Sequence, residues 1–207
     1  MAKFQILYIH GGVTFKSRKD YLDYLRNKKA KLGEKVRWHA DSFKRGLGSD
    51  FEITKPRMPF QDDAKYDEWE IVFENYFDAM DDNVILIGSS LGGIFLSKYL
   101  SENKVGKKIL AVYLVAAPFN DELVSGEDLV GGFELGENLS LIEENCDNVT
   151  LMFSRDDDCV LIESADRYKK KLKNSKIIIY KSKGGHFQID EFPEIVQMIK
   201  KDVRKLL

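Results

Sequence analysis

The stretch Asn83-Val84-Ile85-Leu86-Ile87-Gly88-Ser89-Ser90-Leu91-Gly92-Gly93 decides how the rest of the chain is read. Its short apolar, β-branched run predicts a buried strand over Asn83 to Gly88, and the residues from Leu91 to about Glu102 predict a helix directly behind it. So little chain lies between them that Ser90 must occupy a tight strand-to-helix turn with strained backbone angles. Gly88 and Gly92 stand two residues to either side of Ser90, where a side chain would crowd that turn. Centred on Ser89, the flanks would be Ile87 and Leu91, so Ser90 is the serine that fits. A hydroxyl lifted out of such a turn is a candidate nucleophile, and at neutral pH it needs a histidine held by a carboxylate to become one.

Outward from this stretch, apolar runs alternate with segments of helical periodicity, the pattern of a parallel sheet covered by helices on both faces. Strands are predicted over Phe4 to Ile9, Phe51 to Thr54, Lys108 to Ala116, Val149 to Phe153 and Lys176 to Tyr180. Tyr21, Leu25 and Leu32, then Val36, Ala40, Phe43 and Leu47, suggest two short helices broken near Gly33. Trp69, Val72, Phe73, Tyr76, Phe77 and Met80 form the clearest amphipathic stripe, and Leu161, Ala165, Tyr168 and Leu172 form another. A last helix is expected from about Glu191, with Asp190 as N-cap and Pro193 in the first turn. The fold class is therefore α/β: a three-layer α/β/α sandwich around a mostly parallel sheet of about six strands, in one domain spanning residues 1–207. Residues 118 to 148 break the rhythm with nine acidic residues, no Lys or Arg, and Gly126, Gly131, Gly132 and Gly136. That segment reads as a solvated surface excursion, or else as a flap over a site.

Only His10, His39 and His186 are available as a base. His39 falls within a predicted polar helix and reads as a surface residue. His186, in Lys183-Gly184-Gly185-His186-Phe187, follows the final strand at the carboxyl edge of the sheet, where open α/β folds place their sites. With such an elbow the chain order is serine, acid, histidine. That order points to Ser154-Arg155-Asp156-Asp157-Asp158-Cys159-Val160, after the strand that ends at Phe153. Asp157 is favoured, because Val160 three residues on can anchor the loop. Asp156 is the alternative, and Asp158 is expected to be merely solvated. Tyr8-Ile9-His10-Gly11-Gly12-Val13 closes the first strand and offers the backbone N–H of Gly12, with that of Val13 as a further candidate, to an oxyanion. Leu91 offers another at the start of its helix.

Together the H-G-G turn, the G-x-S-x-G elbow, the aspartate loop and the G-H loop resemble the α/β-hydrolase superfamily over nearly the whole chain. The short length and the stretch Pro56 to Trp69 further resemble the small serine hydrolases of the retinoblastoma-binding-protein type, which lack a large cap domain. The resemblance implies a minimal α/β-hydrolase fold, with Ser90 as nucleophile, His186 as acid/base, Asp157 as orienting acid, and Gly12 with Leu91 as oxyanion donors. Three features depart from the pattern. Ser89 stands where relatives often carry histidine, Leu161 stands where many carry proline, and members of the closer group also serve as protein-binding modules.

The 207 residues are 43% hydrophobic and 32% charged with a net charge of −2, so no bulk attraction to nucleic acid or to an anionic membrane is expected. The partner expected is a small acyl substrate: a carboxylic ester or thioester cleaved through an acyl-enzyme on Ser90. An amidase, peptidase or acyltransferase would share that intermediate. A protein-interaction module on a hydrolase scaffold is the rival from another class, since the acidic segment contrasts with the Lys and Arg surplus between Lys16 and Arg57. Phe15, Phe119, Cys159 and Phe187 neighbour the site loops and could line an acyl pocket, although ordinary packing also accounts for them. Cys146 and Cys159 are expected as reduced thiols, and Phe4 to Ile9 is too short to span a membrane, so the expected location is the cytoplasm. The dispersed histidines imply no metal, and nothing implies an organic cofactor.

Overall fold

The computed structural model describes residues 4–30, 32–33, 37–120, 123 and 128–206. Six strands form one parallel sheet in the order β2-β1-β3-β4-β5-β6. They are β1 (Phe4–Ile9), β2 (Phe51–Thr54), β3 (Val84–Ser89), β4 (Ile109–Val115), β5 (Val149–Ser154) and β6 (Lys176–Tyr180). The interior strands read as continuous apolar runs because both faces are covered: Leu7, Ile9, Leu86 and Leu114 pack to one side, while Ile6, Tyr8, Ile85, Ile87 and Tyr113 pack to the other.

Helices α3 (Tyr66–Asp78), α4 (Leu91–Glu102), α5 (Ser140–Asn145) and α6 (Glu163–Lys171) all send residues into the first cluster. Helices α2 (Asp41–Leu47) and α7 (Pro193–Arg204) close the second. On α3 the inward stripe is Tyr66, Trp69, Phe73 and Phe77, spaced three and four residues apart. α4 is buried on nearly every side, which explains why it has no polar face to read. Because β1 lies between β2 and β3, the chain reverses its direction of progress across the sheet beside β1. The β1/β3 boundary at the carboxyl edge is the place where such sheets bind ligands. Ile9 pairs with Gly88 and Ser89 with Val115 there, so the ends of β1, β3 and β4 stand level.

Three expectations are corrected. Helix α1 (Arg18–Asn27) is capped by Ser17, whose hydroxyl accepts from the Asp20 N–H, and it ends before Leu32, which is 98% exposed. The expected helical position Val36 lies outside the described residues. Asp190 does not cap α7: Phe192 holds that position with Pro193 in the first turn, and the Asp190 carbonyl accepts a hydrogen bond from Ser42 instead. The segment after Pro118 is not a solvated excursion, because Leu129, Phe133, Leu139 and Ile142 are all buried in the main core. Its Asp121, Glu122, Gly126 and Glu127 lie outside the described residues. Among those described, no helix is long and apolar enough to cross a membrane.

Candidate functional site

Ser90 is built at φ 55° and ψ −122°, a left-handed conformation that a non-glycine residue adopts only under constraint. Its N–H donates to the Val115 carbonyl at 2.8 Å, and its own carbonyl accepts from the N–H groups of Gly93 and Ile94 as α4 begins. The glycines around it are explained by close approach, though not to the serine itself. A Cβ on Gly88 would lie 2.3 Å from the Gly92 carbonyl oxygen, and one on Gly92 would lie 2.3 Å from that of Ile9. On Gly93 it would lie 2.6 Å from the Ala117 Cβ. The bare backbones let β3, α4 and the end of β1 meet, and the serine rides on that junction.

The turn after β1 faces the elbow. A Cβ on Gly11 would sit 3.0 Å from the Ser90 Cβ, and one on Gly12 would press on the Gln61 carbonyl at 2.7 Å. Val13 donates its N–H to Gln61 at 2.8 Å, which removes it as a free donor. Among the described residues the N–H groups of Gly12 and Leu91 have no such partner, and both residues line the cleft that contains Ser90.

The aspartate loop and the histidine loop, after β5 and β6, are joined by all three acids, each in a different way. Asp157 reaches the imidazole: both of its carboxylate oxygens stand 2.9 Å from His186 Nδ1, and its side chain is only 4% exposed. The same carboxylate accepts the N–H groups of Cys159 and Val160 at 2.9 Å, so it cannot swing away. Asp156 accepts from the hydroxyls of Ser154 and Ser182 and from the N–H groups of Lys183 and Gly185. Those bonds, led by the Ser154 hydroxyl, hold its carboxyl well below the usual carboxylate range. Asp158, expected to be solvated only, accepts the His186 N–H at 3.2 Å. Sequence reading missed these two anchoring roles. The signal was the pair Gly184-Gly185, both at positive φ, a loop without side chains of its own to hold it.

Ser90 and Cys159 line one cleft with Thr14, Leu91, Leu129 and Val160, and Cys159 sits beside Asp157 and His186. Among the described residues Ser90 Oγ makes no hydrogen bond to His186, a contact that often tightens only when substrate is bound. The segment after Pro118 forms one wall of the cleft. Thr14 pairs with Asp128 and Leu123 with Val160 in isolated antiparallel bridges, and the Thr14 hydroxyl donates to the Asp128 carbonyl while accepting the Val130 N–H.

Residues 34–200 match the family model described as serine hydrolase. The chain belongs to the serine hydrolase family. Its fold is also that of the ydeN gene product of B. subtilis, at 15% identity over 98% of this chain and 100% of that one, with a TM-score of 0.74. A putative YdeN-like hydrolase from Pectobacterium atrosepticum matches at 15% identity over 99% and 93% of the two chains, with a TM-score of 0.65. A putative lipase from Acinetobacter baumannii matches at 15% over 98% and 84%, with a TM-score of 0.61. These are α/β-hydrolase folds, and none of the three is described as of the retinoblastoma-binding-protein type. No curated protein sequence matches the chain.

The other two histidines of this serine hydrolase are structural. His10 accepts the Met58 N–H on Nε2 at 3.0 Å, which places its proton on Nδ1, 2.6 Å from the Gly11 carbonyl. His39 is not a surface residue in a helix: it lies half-buried in a turn, stacked on Tyr8 at 4.5 Å. Burial, with Lys55 and Arg37 adding to it, pushes its pKa down to about 4. Of the four residues considered for an acyl pocket only Cys159 lines the cleft. Phe15 packs on Tyr21 and Tyr24, Phe119 on Tyr168, and Phe187 on Tyr180 and Phe192. Asp157, Cys159 and His186 each bring one donor atom within 4.8 Å of the others, a spacing that a single cation could bridge. The Asp157 carboxylate is already spent on the imidazole and two backbone donors.

Proposed function

We propose that this hydrolase cleaves a small carboxylic ester or thioester through an acyl-enzyme on Ser90. The observation that carries the reading is the His186 imidazole locked by Nδ1 onto a buried Asp157 carboxylate, on the same sheet edge as a serine at φ 55°. Asp157 holds Nδ1 protonated, which leaves Nε2 as the basic nitrogen. Nε2 takes the Ser90 proton as Oγ attacks the carbonyl, and the oxyanion is met by the N–H groups of Gly12 and Leu91, the second at a helix N-terminus. The imidazolium returns that proton to the departing alcohol or thiol. Water, activated by the same nitrogen, then releases the acid and regenerates Ser90. The cleft beside Ser90 is narrow, walled in part by Leu91, Leu129 and Val160, and this favours a short acyl group.

A fluorophosphonate probe tests this directly. Wild-type protein is expected to be labelled and to hydrolyse p-nitrophenyl acetate, and Ser90→Ala to do neither while unfolding at the same denaturant concentration. Labelling that persists in Ser90→Ala would move the nucleophile elsewhere, and wild-type protein inert to both reagents would sink the catalytic reading.

A further inference from the structure

The reaction at Ser90 leaves one thiol of the cleft idle. Cys159 lines the same cleft as Ser90 and is half-buried, whereas Cys146, the other cysteine, is buried in the main core. The backbone fixes Cys159 relative to the imidazole: its N–H donates to Asp157 Oδ1 at 2.9 Å, and both oxygens of that carboxylate stand 2.9 Å from His186 Nδ1. Its Sγ lies 3.9 Å from Asp158 Oδ1, the atom that accepts the His186 N–H. A sulfur, an imidazole nitrogen and a carboxylate oxygen, one each from Cys159, His186 and Asp157, thus fall within 4.8 Å of one another.

Thiolate and imidazole together suit a borderline-soft divalent cation such as Zn²⁺, and not Mg²⁺ or Ca²⁺, which take oxygen ligands. Bonds of about 2.3 Å to sulfur and about 2.1 Å to nitrogen, at a tetrahedral angle, set those two donors about 3.6 Å apart. A separation within 4.8 Å leaves about 1.2 Å at most to close, which rotation about the one Cα–Cβ bond of Cys159 can supply. Asp157 need not let go of the ring. A carboxylate on Nδ1 orients the imidazole and raises the basicity of Nε2, the arrangement found behind zinc-ligating histidines. Among the described residues no Lys or Arg lies within ion-pair distance of Asp157 or Asp158, so both carboxylates favour a cation here.

We propose that Cys159 Sγ and His186 Nε2 bind a thiophilic divalent cation, with Asp157 kept on the other ring nitrogen, and that the bound cation switches the hydrolase off. The inference rests on Ser90 and His186 as the reacting pair and adds the regulation of that site. As the cation binds, the Cys159 thiol releases its proton to solvent and the Nε2 lone pair is taken by the metal. That nitrogen then cannot accept the Ser90 proton. Nothing is oxidised or reduced, so a chelator restores the free base.

Calorimetric titration of zinc chloride into Ser90→Ala tests the site without any need for turnover. Saturable binding is expected, weakened at least about tenfold when Cys159→Ser or His186→Gln is added, since even residues that only support a metal ligand cost that much. Magnesium chloride should give no binding heat. Zinc affinity unchanged by either substitution, or equal binding of magnesium, overturns the proposal. A second measurement leaves Cys159 in place: iodoacetamide should alkylate Cys159 in wild-type protein, and excess zinc should slow that reaction until EDTA is added. Alkylation indifferent to zinc overturns the site. In turnover of p-nitrophenyl acetate, zinc should inhibit, and the half-inhibiting concentration should rise at least about tenfold in Cys159→Ser, measured against that variant's own uninhibited rate. Inhibition undiminished in Cys159→Ser overturns the switch. Wild-type protein inert to the ester removes the catalytic reading and the switch with it, while calorimetry and alkylation still decide the cation site.

Discussion

At the scale of single residues, the three consecutive aspartates show why a charged run can carry more than solvation. A side chain in a loop is read from sequence as polar and exposed, yet its partner here is 26 to 29 residues further along the chain, and nothing local encodes that distance. Asp157 was legible because Val160 follows it at a spacing that anchors the loop, and Val160 is indeed buried. Asp156 and Asp158 were not, since their partners are backbone groups of a glycine loop. The roles differ enough to be separated by substitution. Asp157→Asn keeps the two backbone bonds through its amide oxygen but can offer Nδ1 an N–H in place of a carboxylate, so the imidazole loses its tautomer. Turnover of p-nitrophenyl acetate is expected to fall by about 10⁴-fold with stability little changed. Asp156→Asn weakens the support of the loop without touching the ring, and a loss on the order of tenfold is expected. The reverse order of losses would give the proposed orienting role to Asp156 instead.

At the scale of elements, strands and amphipathic helices were legible because burial on both faces writes a continuous apolar run and burial on one side writes a period. The segment from Pro118 to Asn148 has neither, since its buried residues Leu129, Phe133, Leu139 and Ile142 are separated by glycines, acids and turns. What holds it is aromatic packing made at long range. Phe133 is fully buried, edge-on to Trp69 at 5.3 Å and to Tyr66 at 5.9 Å, while the Gly131 carbonyl accepts the Tyr66 N–H at 2.8 Å. The wall of the cleft is thus fixed to the first turn of α3. Phe133→Ala should cost about 3–5 kcal/mol in guanidinium unfolding, the range for emptying a large aromatic site in a core. A loss below about 0.5 kcal/mol, typical of surface positions, would mean that the segment is a detachable flap after all.

At the scale of the whole molecule, the topology gathers the loops that carry Ser90, Asp157 and His186 at one edge of the sheet, and the same arrangement half-buries the imidazoles of His10 and His39. The sequence could not show this burial, because the stacking of His39 on Tyr8 joins a turn to a strand and leaves no periodic trace. Burial holds His10 below its ordinary pKa and His39 at about 4. The unfolded chain therefore takes up protons on both residues as pH falls through 6.5, while the folded chain takes them up only at lower pH, His39 near 4, so the stabilisation is complete above that window and declines on acidification through it. Carboxylates held low in the fold, Glu143, Asp156 and Asp202 among them, act below about pH 4.5, where their own unfolded forms begin to protonate. Between pH 7 and pH 5 His10 and His39 therefore both pull stability down. Urea midpoints are expected to fall across that interval in the wild type and to fall less in His39→Phe, which keeps a ring over Tyr8 and removes one titrating group. Identical midpoints at pH 7 and pH 5 would contradict the burial of both rings, and an undiminished slope in His39→Phe would assign the effect to His10 alone.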